Sequence, residues 1–185
     1  MKTLFILSAL LISSLTLSAQ CNSHKQKSHT KTISYSQSSH RSLVEIAAGD
    51  DRFSTLVAAL KAADLVDALE GDGPFTIFAP DNTAFDRLAD GTVASLLEPG
   101  SKKQLQEILT YHVVAANLSS DDVTRALSAT GRASLESLSG KKITVLKKGS
   151  SLFIEDGQGN LSLLKAFDIE GTNGVIHVID MVLLP

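Results

Sequence analysis

The chain has 185 residues, 43% hydrophobic and 20% charged, enough for one domain with a substantial core and short for two. The formal net charge of -3 hides an asymmetry: every acidic residue lies at or after Glu45, and residues 42–185 hold 12 basic against 20 acidic residues, a balance of -8. That balance excludes a nucleic-acid grip, which needs clustered Lys and Arg, and the single cysteine, Cys21, excludes an intrachain disulfide or a multi-thiolate metal centre.

Residues 1–20, MKTLFILSALLISSLTLSAQ, set Lys2 before an apolar run from Leu4 to Leu17 and end in small residues. That is the layout of a secretory signal peptide, and the run is too short and too rich in Ser for a comfortable membrane span. Two processing routes are open. Signal peptidase would cut after Ala19. Alternatively, Leu17-Ser18-Ala19-Gln20-Cys21 resembles a bacterial lipobox, with Gln20 where a smaller residue is usual, and Cys21 is then the lipidation candidate and the only link to a membrane. Both routes export the protein, to the outer membrane or cell surface, the periplasm or the exterior. Residues 21–41 are polar and free of acid, with too few apolar groups to offset the entropy of ordering, and read as a tether. Its histidines, His24, His29 and His40, fit no compact metal site.

Ser42 with Glu45 three residues on is a capping box. Phe53, Leu56, Val57 and Leu60 then mark one helical face, and a short helix over LVDALE closes at Gly71. GPFTIFAP is a strand apolar on both sides, and Pro80 passes it into a helical turn that Asp81 or Asn82 caps. Thr92 can cap the helix that follows. Leu105, Ile108, Leu109 and His112 share a helical face before an extended Val113-Val114. From Gly140 the period changes to short β-rich runs broken at Gly149-Ser150, at Asp156 to Asn160 and at Thr172-Asn173-Gly174. Helices first and strands later predict an α+β fold with an antiparallel sheet.

TIFAPDNTAF, the Tyr111-His112 pair and NGVIHVIDMVLLP resemble, in order and spacing, the three marker segments of the fasciclin domain. The resemblance covers nearly all of residues 42–185. It implies a wedge-shaped antiparallel β-sandwich flanked by several helices in its N-terminal half, and a module of adhesion or matrix contact rather than an enzyme. In animal relatives integrin contact has been assigned to the Tyr-His segment and to an Asp-Ile dipeptide before the last strand. Residue by residue this implies partner-binding roles for Tyr111, His112, Asp168 and Ile169, although Glu170 stands where animal motifs carry another apolar residue.

The residues themselves allow plainer roles. His112 falls on an apolar face, where a neutral, hydrogen-bonded core histidine is the common case, bonded here to the strand segment from Thr76 to Asn82. Tyr111 is open between contact residue and core residue. His112 and His177 without a placed carboxylate do not make a metal site, and no nucleophile elbow or phosphate loop is present. The functional expectation is an exported, monomeric interaction module, without cofactor or metal, whose partner is a surface or matrix protein or a polysaccharide. The alternative is a periplasmic or outer-membrane protein that holds a small apolar ligand between sheet and helices.

Overall fold

A computed structural model describes residues 41–185; the signal peptide, Cys21 and the tether up to His40 lie outside the described residues. The expected capping box opens α1 (Leu43–Ala48): Ser42 Oγ accepts from the Glu45 N–H, and the Glu45 carboxylate accepts from the Ser42 N–H at 2.9 Å. A 3₁₀ turn (Asp51–Phe53) leads into α2 (Ser54–Ala62), and all four residues of its expected face are buried. α3 (Val66–Leu69) ends on Glu70, not on a left-handed Gly71. β1 (Phe75–Pro80), α4 (Asn82–Phe85), α5 (Thr92–Leu96), a second 3₁₀ turn (Pro99–Ser101), α6 (Lys102–Tyr111) and β2 (Val113–Val114) follow. Thr92 is not a cap. Gly91, left-handed at φ 83°, starts α5 without a side-chain bond.

Two elements lie outside the sequence expectation. α7 (Ser120–Thr130) opens on a second capping box, Ser119 with Asp122, and ends on left-handed Gly131; β3 (Arg132–Glu136) runs directly from it. The chain closes with β4 (Lys142–Lys148), β5 (Ser151–Glu155), β6 (Leu161–Gly171) and β7 (Gly174–Ile179).

The strands form one seven-stranded sheet in the order β2-β1-β7-β6-β5-β4-β3. β3 to β7 form a meander whose turns are the breaks visible in the sequence, apart from the first. The expected antiparallel pairing holds at every junction but one: β1 and β7 run parallel, from Phe75 opposite Gly174 to Pro80 opposite Ile179. Gly174 is required there, because a Cβ would sit 1.9 Å from the Phe75 carbonyl oxygen.

The β1–β7 pair divides the interior. Ile77, Ala79, Ile176 and Val178 face the helical layer with Leu43, Phe53, Leu60 and Leu109. Phe78 and Ile179 face the other way, into a core with Tyr111, Val123, Leu127, Ile143, Val145, Ile154 and Leu183. A pair buried on both faces accounts for the near-continuous apolar run in β1. Among the described residues, no buried side-chain nitrogen or oxygen lacks a hydrogen-bond partner.

Candidate interaction surface

The polar trio Asp81-Asn82-Thr83 joins elements and does not form a reactive site. Asp81 caps α4 through the Ala84 N–H at 3.0 Å, accepts the Thr83 hydroxyl and takes Lys165 Nζ at 2.7 Å. Burial pushes its carboxyl upward, but the bonds from Lys165, Thr83 and Ala84 outweigh it and hold the group below the ordinary carboxylate value. Asn82 reaches back to α2, which has no cap of its own: its side-chain oxygen accepts from the Thr55 N–H and its amide donates to the Asp51 carbonyl.

Tyr111 and His112 are buried, at 0% and 2% exposure. The Tyr111 hydroxyl donates to the Lys142 carbonyl at 2.9 Å, and burial pushes the phenol upward. His112 Nδ1 faces the Ile108 carbonyl at 2.8 Å and must donate; Nε2 accepts the Leu183 N–H at 2.9 Å. Burial lowers this imidazole to about 4, against smaller opposing effects of the Ile108 bond and of Asp156. The contact role implied for Tyr111 and His112 therefore finds no exposed side chain in this fold. The expected bond from the His112 side chain to the strand is corrected. Only its backbone meets β1, at Phe78, and the ring ties α6 to the C-terminal segment.

Asp168 and Ile169 are placed differently. β6 shifts register against β7 between Leu164 and Ala166 and again between Ala166 and Ile169, with one extra β6 residue each time. The second bulge turns Phe167 and Asp168 outward and leaves Ile169 packed against the helical core. Asp168 holds φ 55°, a left-handed conformation that Asp tolerates better than most residues. Its N–H donates to His177 Nδ1 at 3.3 Å, and its carboxylate accepts the backbone N–H of Ser120 at 2.8 Å and the Ser120 hydroxyl. A carboxylate in the first turn of α7 also complements the helix dipole.

His177 lies beneath this knuckle at 1% exposure. Its Nε2 donates to the Leu118 carbonyl at 2.7 Å, and its ring lies between Phe78, with centroids 5.8 Å apart, and Phe167 at 6.3 Å. Burial lowers its pKa, which keeps it neutral with Nδ1 free to accept. Thr76 completes the frame: its hydroxyl donates to the Ala116 carbonyl at 2.6 Å and accepts from the Leu118 N–H at 2.9 Å. One chain of bonds thus runs from β1 through the segment before α7 to β7 and the β6 bulge. What it presents to solvent is Phe167, 40% exposed, with Asp168 and Glu170 beside it.

Asn173 is a structural residue that its Asn-Gly context did not announce. Its side chain accepts the Leu43 N–H and donates to the carbonyls of Leu69 and Gly71, which clamps the β6–β7 turn to α1 and α3. The neighbouring cleft of about 390 Å³ is lined by Glu70, Asp72, Asn117 and several glycines, and a second cleft of about 260 Å³ by Gln104, Glu107, Lys141, Gln158 and Pro185 among others. Polar groups predominate in both linings, although Ile108, Leu184 and Pro185 also line the second. Among the described residues, no group of His, Cys, Asp and Glu could hold a metal ion, and no helix is long and apolar enough to cross a membrane.

The fasciclin-domain family model matches residues 51–185. The chain belongs to the fasciclin-domain family. The fasciclin domain here is 47% identical over 143 residues to protein sll1483 of Synechocystis, an alignment covering 77% of this chain and 73% of that one. It is 42% identical to the uncharacterized protein sll1735 of Synechocystis, across 77% of this chain and 96% of that one. Pig transforming growth factor-beta-induced protein ig-h3 is 37% identical over 77% of this chain, but only 19% of that longer protein is spanned. Among solved structures, the FAS1 domain pair of the insect cell adhesion molecule Fasciclin I matches with a TM-score of 0.71 at 20% identity, over 80% of this chain and 52% of that one. That match fixes the fasciclin fold, and none of these names is that of an enzyme.

Proposed function

We propose that this fasciclin domain is an exported contact module that binds a surface or matrix protein, or a polysaccharide, through the β6 knuckle at Phe167 and Asp168, with Ile169 anchoring the knuckle on the core. The observation that carries the reading is the knuckle's construction. A partly exposed aromatic ring and an exposed carboxylate are held on a bulge whose backbone and side chain are both fixed, by His177 and by Ser120. Fixing a contact group before binding reduces the ordering entropy lost on association. A small patch binds weakly alone, and display of many copies on a surface multiplies it.

Family membership and the fold shared with an insect cell adhesion molecule support the adhesion side of the proposal. Export rests on the signal-like N-terminus, and the membrane link on acylation of Cys21; intact mass of the exported protein separates an acylated Cys21 start from a Gln20 start. The polar linings of the two clefts favour surface contact over a small apolar ligand.

The test is capture from a cell-surface extract with full-length wild type, Phe167→Ser, Asp168→Asn and Tyr111→Phe. The two knuckle variants should lose the captured partner and Tyr111→Phe should keep it, since the Tyr111 hydroxyl is spent internally on Lys142. Equal capture by all four proteins removes the knuckle as the binding site.

A further inference from the structure

We infer that β3 is a self-complementary edge through which two copies of this chain join their sheets antiparallel, about a two-fold axis at Ser134. β3 ends the strand order and pairs in the ladder only with β4, and its free edge stops at Glu136, because the Leu138 N–H just beyond it already donates to the Val113 carbonyl of β2 at 2.7 Å. The direction of its free hydrogen-bonding groups follows from the ladder. Gly131 accepts from Lys147 and Ser137 donates to Lys141, one pair at each end of the β3–β4 register. Bonded pairs alternate in an antiparallel ladder, so Ala133 and Leu135 point their backbone groups at β4. Arg132, Ser134 and Glu136 point theirs outward. Among the described residues, no hydrogen bond from outside the sheet reaches the N–H of these three; the Arg132 carbonyl accepts the Thr130 hydroxyl at 2.5 Å and retains a second lone pair.

The sequence of the strand suits a second copy. Arg132-Ala-Ser-Leu-Glu136, paired antiparallel with itself at Ser134, sets Arg132 opposite the partner's Glu136, and Glu136 opposite the partner's Arg132. Ser134 and its symmetry mate then form a bonded pair, and the Arg–Glu pairs, two residues away on each side, are bonded pairs as well. All three side chains are exposed on the same face, while Ala133 and Leu135 turn toward the core. Charges on an edge strand ordinarily discourage edge pairing. Arg132 already lies 3.4 Å from the Glu155 carboxylate of its own sheet, an exposed contact it can share or exchange, and the two-fold axis adds an opposite-sign cross-strand neighbour, which stabilises a pair of strands. Any other register, shifted by two residues, sets Arg132 or Glu136 against Ser134 and loses both charge pairs. The inference stands on β3 alone and is independent of the knuckle.

A five-residue strand buries less than the ~1,200 Å² of a standard interface, so the association is weak and is read by sedimentation velocity of the full chain up to about 1 mM. Wild type should show a concentration-dependent dimer that weakens with salt. Ser134→Pro removes only an outward N–H, a position where an edge strand accepts proline, and should raise the dissociation constant at least tenfold at an unchanged melting temperature. Glu136→Arg should weaken the dimer by a comparable factor, and the double swap Arg132→Glu with Glu136→Arg should restore it. A wild type that stays monomeric throughout the range overturns the inference, as does a dimer indifferent to Ser134→Pro. Should Ser134→Pro fail to fold, the swap series decides: a double variant no better than Glu136→Arg overturns the proposed register.

Discussion

The two buried histidines use one device to opposite ends. Each is a neutral imidazole that donates to a carbonyl with one nitrogen and accepts a backbone N–H with the other. His112 works entirely inside: Ile108 and Leu183 are themselves buried, and the bond fastens the C-terminal segment to α6. His177 works at a boundary. Its carbonyl partner belongs to the segment before α7, and its donor is the exposed Asp168. The first histidine therefore specifies fold alone, and the second specifies what the surface presents. Substituting each in turn measures how far this division holds.

His112→Leu should have the largest effect. It leaves the Leu183 N–H and the Ile108 carbonyl without their ring partner in a dry core, at about 1–3 kcal/mol per unsatisfied buried group, so a loss of about 3 kcal/mol in urea unfolding is expected. pH reports the same residue. The folded pKa near 4 lies below the ordinary 6.5, so the unfolded state takes up the proton first. The His112 contribution is intact above pH 6.5 and is lost as pH falls toward 4, at about 1.4 kcal/mol per unit and roughly 3 kcal/mol in all. His177, also lowered, contributes with the same sign. Stability profiles of wild type and His112→Leu should converge as the pH drops from 6.5 to 4. Parallel profiles would mean that His112 is not the proton acceptor.

Thr76→Val should come next, at about 2 kcal/mol, because the isosteric change strips the Ala116 carbonyl and the Leu118 N–H of one shared partner. His177→Leu should cost less than His112→Leu, since the Asp168 N–H it abandons lies beside solvent and can turn to water. Its effect on the surface should be larger: amide exchange at Asp168 and Ser120 should quicken in His177→Leu and stay unchanged in His112→Leu. An equal response at both positions would dissolve the distinction between the two regions.

What could be read from the sequence follows the range of each interaction. Ser42 with Glu45, Asp81 before α4, the face from Phe53 to Leu60 and the hairpin turns are all settled within a few residues, and their side chains announce them. α7 has a faint signature in the sequence: among its described side chains Val123 and Leu127 are the buried apolar ones, too sparse a stripe to register as helical, although Ser119 with Asp122 signals its start. The parallel β1–β7 pair has no turn of its own and joins residues about a hundred positions apart. Leu183 meets His112 from 71 residues away, and the Asn173 side chain meets Leu43 from 130. Helical spacing sets His112 on an apolar face with Leu105 and Ile108 and leaves Tyr111 open between core and contact. Only the assembled sheet decided that neither side chain emerges from it.

The smallest expected changes in stability belong to the residues with the largest proposed role in contact. Phe167 is 40% exposed and meets the His177 ring edge-on, with centroids 6.3 Å apart. Phe167→Ser should alter unfolding free energy by about 1 kcal/mol, since at 40% exposure the ring is only partly withdrawn from water and full burial of a Phe contributes about 1.5–3 kcal/mol. Asp168→Asn keeps the φ of 55° and an acceptor for the Ser120 N–H but removes the charge at the start of α7, again worth about 0.3–1 kcal/mol. Both variants should therefore unfold close to wild type and lose partner capture. That combination separates a presented surface from a structural one, because a residue whose only role were to hold the bulge would lose stability and binding together. A Phe167→Ser protein that unfolds several kcal/mol early would place the ring in the core, and the knuckle would then belong with His112 on the interior side of the comparison.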